Sequence, residues 1–476
     1  MDYLHAVLLG ILVVVLTQSW SGFKLRHIPT IGYSFPFLSY ITAFKFRTHS
    51  REMVAEGYRK YPNQIWKLST FDGWFIVANG TLGVQELDKA SGKELSGILN
   101  FQSYLQLDHT LGPEVATNPY HINVSDDMRD EAFSAFEDLI PSSSAEGHAI
   151  PIYSSLVEVS SRINARLAVG YPLCRNRTFL YLCGRSCTVL DRGRHLRFVP
   201  TFLRPIATKL IVKSSADIGT MARHLQPLVA ERLYQQHLHG FEWPGKPNDT
   251  LMWLMDEAQK SAEEVTAHGM ATRLYLLTSA SEGIAMILSC ALYEVATRPE
   301  YIKPLRDEVE SVVAQEGWSK DSISKLQKMD SFLREVYRCY DLNLLHLGRR
   351  TVKDFIFSDG TLIPAGFDIF SNAYGIHYDE MLYPSAHTFD GFRFVQEDAA
   401  KQARFTKPGL DYVPFGYGKH ACPGRFAAAY QMKTMLAYII TTYDIEMNKA
   451  LHPIGGFFEK GFFPNLEAKV SFKRRQ

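Results

Sequence analysis

Of six cysteines, Cys422 alone stands in a setting built for chemistry. Around it runs Phe415-Gly-Tyr-Gly418-Lys-His420-Ala-Cys422-Pro-Gly424-Arg425. Glycines let a backbone wrap closely around one atom and adopt φ angles closed to other residues. Backbone N–H groups can then point at a thiolate, lowering its pKa and tuning a metal bound to it. RFAAAYQMKTMLAYII follows at once and reads as a helix, whose positive N-terminal end favours a sulfur anion. A single thiolate on an iron porphyrin pushes electron density toward O–O cleavage. The bland alternative is an inert cysteine in a Gly-rich turn, the commoner fate of an isolated Cys.

The other cysteines, at 174, 183, 187, 290 and 339, form no C-x-x-C pair. No His partner lies at zinc-finger spacing. So few thiols in a long chain fit a reducing, cytosolic setting. Two charged elements stand upstream of the cysteine loop. In Glu335-Val-Tyr-Arg338 the charges are three apart and share one helical face. Phe389-Asp-Gly-Phe-Arg393-Phe394 supplies another cation.

At this point the residues match a known pattern. The 415–424 stretch fits the haem signature F-x-x-G-x-[RH]-x-C-x-G of the cytochrome P450 family at every fixed position. Glu335/Arg338 matches the family's E-x-x-R, and the Arg393 segment resembles its F-x-P-x-R-F. E-x-x-R alone is a very weak signal; three elements in order and at the right spacing are strong. The resemblance covers nearly the whole chain, and HIPTIGYSFPFLSY and DYVPFGYGKHACPGRF look most like fungal members of secondary metabolism. It implies haem b held by Cys422, with Phe415 and Gly418 in the cofactor loop and His420 and Arg349 as partners for the propionates. Arg350 is an equal candidate for the last role. It also implies that Glu335, Arg338 and Arg393 form a buried network that braces the loop, rather than a solvated pair worth little.

The sequence departs from the family in two places. Counting back from Ala291-Leu-Tyr-Glu and Arg298-Pro-Glu, the acid–threonine pair that relays protons falls on Glu282 and Gly283. The acid is a candidate relay and the hydroxyl is missing; Ser279, Ser281 or a water are possible substitutes. The second departure follows Asn118-Pro-Tyr-His121, where the chain passes directly to NVSDDMRDEAFSAFEDLIP. A helix bearing a basic residue for a propionate is missing or replaced there.

The elements that must position these groups are mostly helical. Apolar residues three and four apart recur through 81–240, and a long apolar helix is expected over 272–297, with others at 49–60, 300–316 and 331–340. IWKLS and WFIVA around Asp72-Gly73 read as a hairpin, and DFIFSDGTLIPAGFDIF as short strands. The fold class is mainly α with a minor β component, and residues 49–476 are read as one P450-like haem domain. Residues 3–20 are apolar, and Lys24 and Arg26 follow them; these flanks favour a signal anchor over a cleaved peptide, with the body cytosolic. Residues 21–48 read as a linker.

With 51 basic and 50 acidic residues there is no electrostatic case for nucleic acid. No dinucleotide or flavin fingerprint appears, so electrons must come from a partner. The reading is therefore an oxidoreductase of the endoplasmic reticulum membrane, a single-pass haem-thiolate monooxygenase. It would be fed from NADPH by a separate flavoprotein reductase and would oxidise an apolar, terpenoid-like small molecule of secondary metabolism. Two alternatives are a haem-thiolate isomerase, dehydratase or desaturase, and a degraded membrane-tethered haem binder without turnover. Segments 96–118, 276–284, 342–348 and FFEKGFF are expected to face substrate. Sequons at Asn79, Asn123, Asn176 and Asn248 matter only if the body is lumenal.

Overall fold

The computed structural model describes residues 20–35, 37–71, 73–112, 126–140, 147–199, 203–398, 402–447 and 455–476. The expected anchor, apart from Trp20, and residues 113–125 lie outside the described residues, while the DDMRDEAFSAFEDL run that follows is the helix Asp126–Leu139.

Helices Asp126–Leu139, Ile152–Val169, Ala280–Thr297, Gln327–Cys339 and Arg425–Thr442 share the largest hydrophobic core. Ala280–Thr297 runs through its middle, with Leu288, Ala291, Leu292 and Val295 fully buried. Among the described residues, Ala267–Thr297 is the one stretch long and apolar enough to cross a membrane, yet most of it is buried in protein. A helix apolar on all sides serves equally as the centre of a large core. The expected 272–297 helix thus exists, extended at its start and interrupted. It is two segments, Ala267–Thr278 and Ala280–Thr297, joined at Ser279. There the Ser279 hydroxyl donates to the Leu276 carbonyl at 2.6 Å, a local bond that competes with the helical ladder.

The main sheet has five strands in the order Ile65–Thr70, Gly73–Ala78, Asp368–Asn372, Leu345–Thr351, Leu95–Ser96. Only Gly73–Ala78 with Asp368–Asn372 is parallel. A bulge between His346 and Arg349 re-aims the Leu345–Thr351 strand beside the site. Near the C-terminus, Gly456–Phe458 and Gly461–Phe463 form a hairpin with Lys460 in its turn.

One boundary needs correction. Residues 21–48, expected as a linker, belong to the folded body from Leu25 onward. Leu25, Ile28 and Ile31 are buried, and Leu38–Thr48 is a helix that sinks Ala43 and Phe46 against the first hairpin. The prolines of this stretch stop a helix only before residue 38. Asn79 is structural: its side chain accepts from Trp66 and Asn372 and donates to the carbonyls of Gly57 and Tyr61. A glycan at this sequon would have to break that network.

Candidate active site

The cysteine loop leaves the body at Val413 and returns at Arg425. Gly416 and Gly418 have φ of +76° and +60°, the left-handed region that favours glycine. A Cβ at Gly418 would also collide with the Asp88 carboxylate, so another residue would have to displace that side chain as well as adopt a left-handed φ. The Cys422 N–H donates to the Phe415 carbonyl at 2.7 Å, closing the loop on itself. Phe415 is buried edge-on against Tyr337, with ring centroids 5.0 Å apart.

Cys422 is exposed toward a cavity of about 280 Å³, while protein atoms surround its other sides. Burial raises the thiol pKa; the backbone N–H groups of Gly424 and Arg425 and the Arg425 charge pull it back. The helix Arg425–Thr442 begins three residues on, as its sequence predicts. Across the cavity stand Ala280, Gly283, Ile284 and Ile287 from the central helix. The wall is therefore a thiol on one side and small or apolar side chains on the other, which suits a flat apolar macrocycle.

Charge placement suits such a macrocycle's carboxylates as well. Arg349 is 4% exposed, its Nη1 donates only to the Gly348 carbonyl, and its Nη2 has no partner among the described residues. Burial lowers its pKa to about 10 against a weaker opposing pull from the Asp88 carboxylate. Arg350 is engaged elsewhere, clamped on Asp368 by bonds of 3.0 and 2.7 Å. Strand alternation puts the two arginines on opposite faces. His420 is exposed, and partial burial with the charges of Arg349 and Lys419 depresses its pKa.

Glu335 and Arg338 are fully buried and joined in a bidentate pair at 2.8 and 2.7 Å. Arg393 reaches Glu335 at 3.0 Å and gives its remaining donors to the carbonyls of Pro384, Ser385 and Thr388. Arg338 holds the carbonyls of His377 and Ala386. The three charges thus pin the 377–393 segment to the bundle. His377 passes the connection on, accepting from the Val413 N–H at the foot of the cysteine loop.

Glu282 is not brought to the cavity. It accepts a short hydrogen bond from the Tyr153 hydroxyl and also meets Cys187, so its carboxylate points between helices Ile152–Val169 and Arg177–Gly193. Adjacent positions on a helix differ by about 100° in direction, so its neighbour Gly283 lines the cavity and Glu282 does not. Polar groups that do reach the wall include Asn164, which donates to the Ser281 hydroxyl at 2.8 Å, Thr250, Thr278 and Gln431. Sequence reasoning missed Asn164 because 117 residues separate it from its partner. Of the four segments expected to face substrate, 276–284 and 342–348 contribute to this cavity. The other two meet elsewhere, with Tyr104 against Lys460.

The cytochrome P450 family model matches residues 174–465, more than half of the chain. Cytochrome P450 monooxygenase 151 of Postia placenta is 33% identical over 98% of this chain and 97% of its own length. Cytochrome P450 monooxygenase paxQ of Penicillium paxilli is 28% identical over 98% and 97%. The retinoic acid-bound structure of cyanobacterial CYP120A1 superposes with a TM-score of 0.68 over 94% of this chain and 99% of that one, at 17% identity. A buried charge network under a glycine-wrapped cysteine, in a chain matched end to end by such relatives, leaves one assignment: this protein belongs to the cytochrome P450 family and is a haem-dependent monooxygenase supplied with electrons by a redox partner.

Proposed function

We propose that the Cys422 thiolate would hold the iron of haem b and that the protein oxidises an apolar molecule of secondary metabolism, terpenoid-like in shape and polarity. The observation that carries this is the Cys422 thiol on the wall of an apolar cavity faced by Ala280 and Gly283. Bound there, haem supplies reductive O2 activation: one oxygen atom enters a substrate C–H bond, and the other leaves as water with two electrons and two protons.

The chain's own groups hold and shield that chemistry. The N–H groups of Gly424 and Arg425 face the sulfur and favour its anion. Arg349, through its unbonded Nη2, and the neighbouring His420 would hold the propionates. Phe415 and Tyr337 keep water from the sulfur side. Asn164, with the Ser281 hydroxyl, is better placed than Glu282 to hold a proton-carrying water at the cavity wall.

The electron donor is a separate NADPH-dependent flavoprotein reductase. The protein works at the endoplasmic reticulum membrane with its body in the cytosol, anchored by 3–20. Exposed Phe35, Phe37, Ile41 and Phe44 close behind that segment, and exposed Ile206 and Leu210, support contact with lipid.

The reduced protein under carbon monoxide tests the ligand: a strongly red-shifted Soret band is expected, and Cys422→Ser should abolish it. A folded wild-type protein without the shift would refute the assignment. A second reading, haem-thiolate isomerisation, dehydration or desaturation, is favoured by Gly283, which brings no hydroxyl to the wall. A Cβ there meets nothing closer than Leu342 at 3.4 Å, so Gly283→Thr is tolerable. If wild type spends its O2 and electrons on peroxide and that variant alone forms oxygenated product, the second reading stands.

A further inference from the structure

The strand that carries Arg349 and the loop that carries Cys422 are tied to one buried carboxylate. Asp341 follows the helix Gln327–Cys339 and is 6% exposed. Its Oδ1 accepts from His346 Nε2 at 2.7 Å and from the Asn343 N–H at 3.3 Å. Its Oδ2 faces His377 Nδ1 at 3.4 Å, and neither atom has another partner among the described residues. Burial raises the Asp341 pKa, and the charge and hydrogen bond of His346 draw it back. His377 is fully buried, and its Nε2 already accepts from the Val413 N–H at 3.2 Å. Burial, then the charges of His346, Arg338 and Arg334, holds its pKa well below the ordinary value, so the ring is neutral. With Nε2 accepting, the single ring proton sits on Nδ1, on the side of Asp341.

The His346 end bears on a strained piece of chain. The strand Leu345–Thr351 bulges between His346 and Arg349, and Leu347 within the bulge has φ of +51°. A side chain rarely adopts that left-handed conformation and keeps it only where its surroundings hold it. His346, one residue before, is fixed by Asp341; Arg349, two residues after, carries the buried and unbonded Nη2. The His377 end bears on Val413, where the cysteine loop leaves the body. Arg338 already fixes the His377 backbone through its carbonyl, so the side chain is the part that Asp341 governs.

We infer that Asp341 is a positioning residue for the cofactor: through His346 it holds the bulge that aims Arg349, and through His377 it holds the foot of the cysteine loop. The inference deepens the proposed haem site and rests on it, with the iron at Cys422 and a propionate at Arg349. Asp341, His346 and His377 do not line the cavity, whereas Leu342, next to Asp341, does. Their effect on haem therefore runs through Arg349 and Val413.

The test uses full-length haem-loaded protein, with haem loss to excess apomyoglobin as the readout for the Arg349 arm. His346→Leu should speed loss about fivefold in the wild-type background, but less than about 1.5-fold once Arg349→Leu is present, because both changes then remove one contact. His346→Gln, whose amide N–H can reach the same carboxylate oxygen, should stay within about twofold of wild type. His346→Asn, too short for that bond, repeats the cycle should the leucine variant fail to fold. For the cysteine arm, Asp341→Asn replaces one acceptor oxygen with a donor. His346 keeps the remaining oxygen, so N–H faces N–H at His377. Hydrogen exchange of the 409–415 peptide should then accelerate at least about threefold, with that of 280–297 unchanged. Haem loss unmoved by the His346 variants, or moved equally with and without Arg349, overturns the inference, as does unchanged exchange at 409–415. The reduced carbon monoxide band of wild type separates the two readings: an intact band without the coupling sinks the brace alone, and a missing band sinks the haem-thiolate assignment.

Discussion

Arg338 gives five hydrogen bonds from its guanidinium: two to Glu335, one each to the carbonyls of His377 and Ala386, and one to the Cys339 sulfur. Lys460, in the turn of the C-terminal hairpin, gives none among the described residues and rests on two aromatic faces. Both side chains are buried. The first lies in a closed network where two guanidiniums share the Glu335 carboxylate and their remaining donors meet backbone carbonyls, so its work is to hold the chain. The second is held by aromatic faces and by the more distant pull of Asp368 and Glu459. Arg349 belongs with Lys460, since its Nη2 is buried and unbonded. A completed set of partners marks structure, and the missing one at Arg349 marks a place for a ligand.

The largest effect should come from opening the closed network. Glu335→Gln or Arg338→Leu strands a buried charge and should cost ~3–5 kcal/mol. Denaturant titration and the yield of protein with the red-shifted carbon monoxide band measure it; a variant keeping both would show that the network is not structural.

Next comes Arg349→Leu. Haem loss to an excess acceptor should speed up about tenfold, roughly 1.4 kcal/mol, while the haem-free chain is no less stable. A destabilised haem-free chain would move Arg349 into the structural class.

Lys460→Met sharpens the same contrast with a gain. The folded amine titrates near 7 and the unfolded one near 10.5, so the folded state resists the proton. Wild-type stability therefore falls as pH drops from about 10.5 through 7 and levels off below. The variant should be more stable by about 1 kcal/mol or more at pH 7, in the range for an unsatisfied buried group, and equal to wild type above pH 10.5. A loss of stability at pH 7 would mean that Lys460 already has its partner.

The smallest effect is expected at Glu282. Because its carboxylate is bonded to Tyr153 and lies off the cavity, Glu282→Gln should change the ratio of product to O2 consumed by less than twofold. Asn164→Leu should change it more. The opposite ranking would return the relay to Glu282.

What could be read beforehand was local. Phe415 to Arg425 is eleven consecutive residues, and the turn, the sulfur and the first residue of the following helix all sit within them. Glu335 and Arg338 are three apart on one helix, so periodicity alone puts them side by side. Arg393 is 58 residues from Glu335, and only family resemblance joined it to the pair. The main helices and the first hairpin followed from their apolar spacing, whereas the 21–48 stretch was misread because its Pro and Gly hide a buried Leu25, Ile28 and Ile31.

Sequence by itself therefore determined the chemistry of the cysteine loop, the helix-rich class and the family. The tertiary structure decided direction: which of Arg349 and Arg350 keeps an unbonded Nη2, that Glu282 turns to Tyr153, and that Tyr104 meets Lys460 across 356 positions of sequence. The physical reason is range. Backbone geometry fixes neighbours within a turn or two, but the azimuth of a helix, the inward face of a strand and the pairing of distant charges are set only when elements pack and water leaves between them.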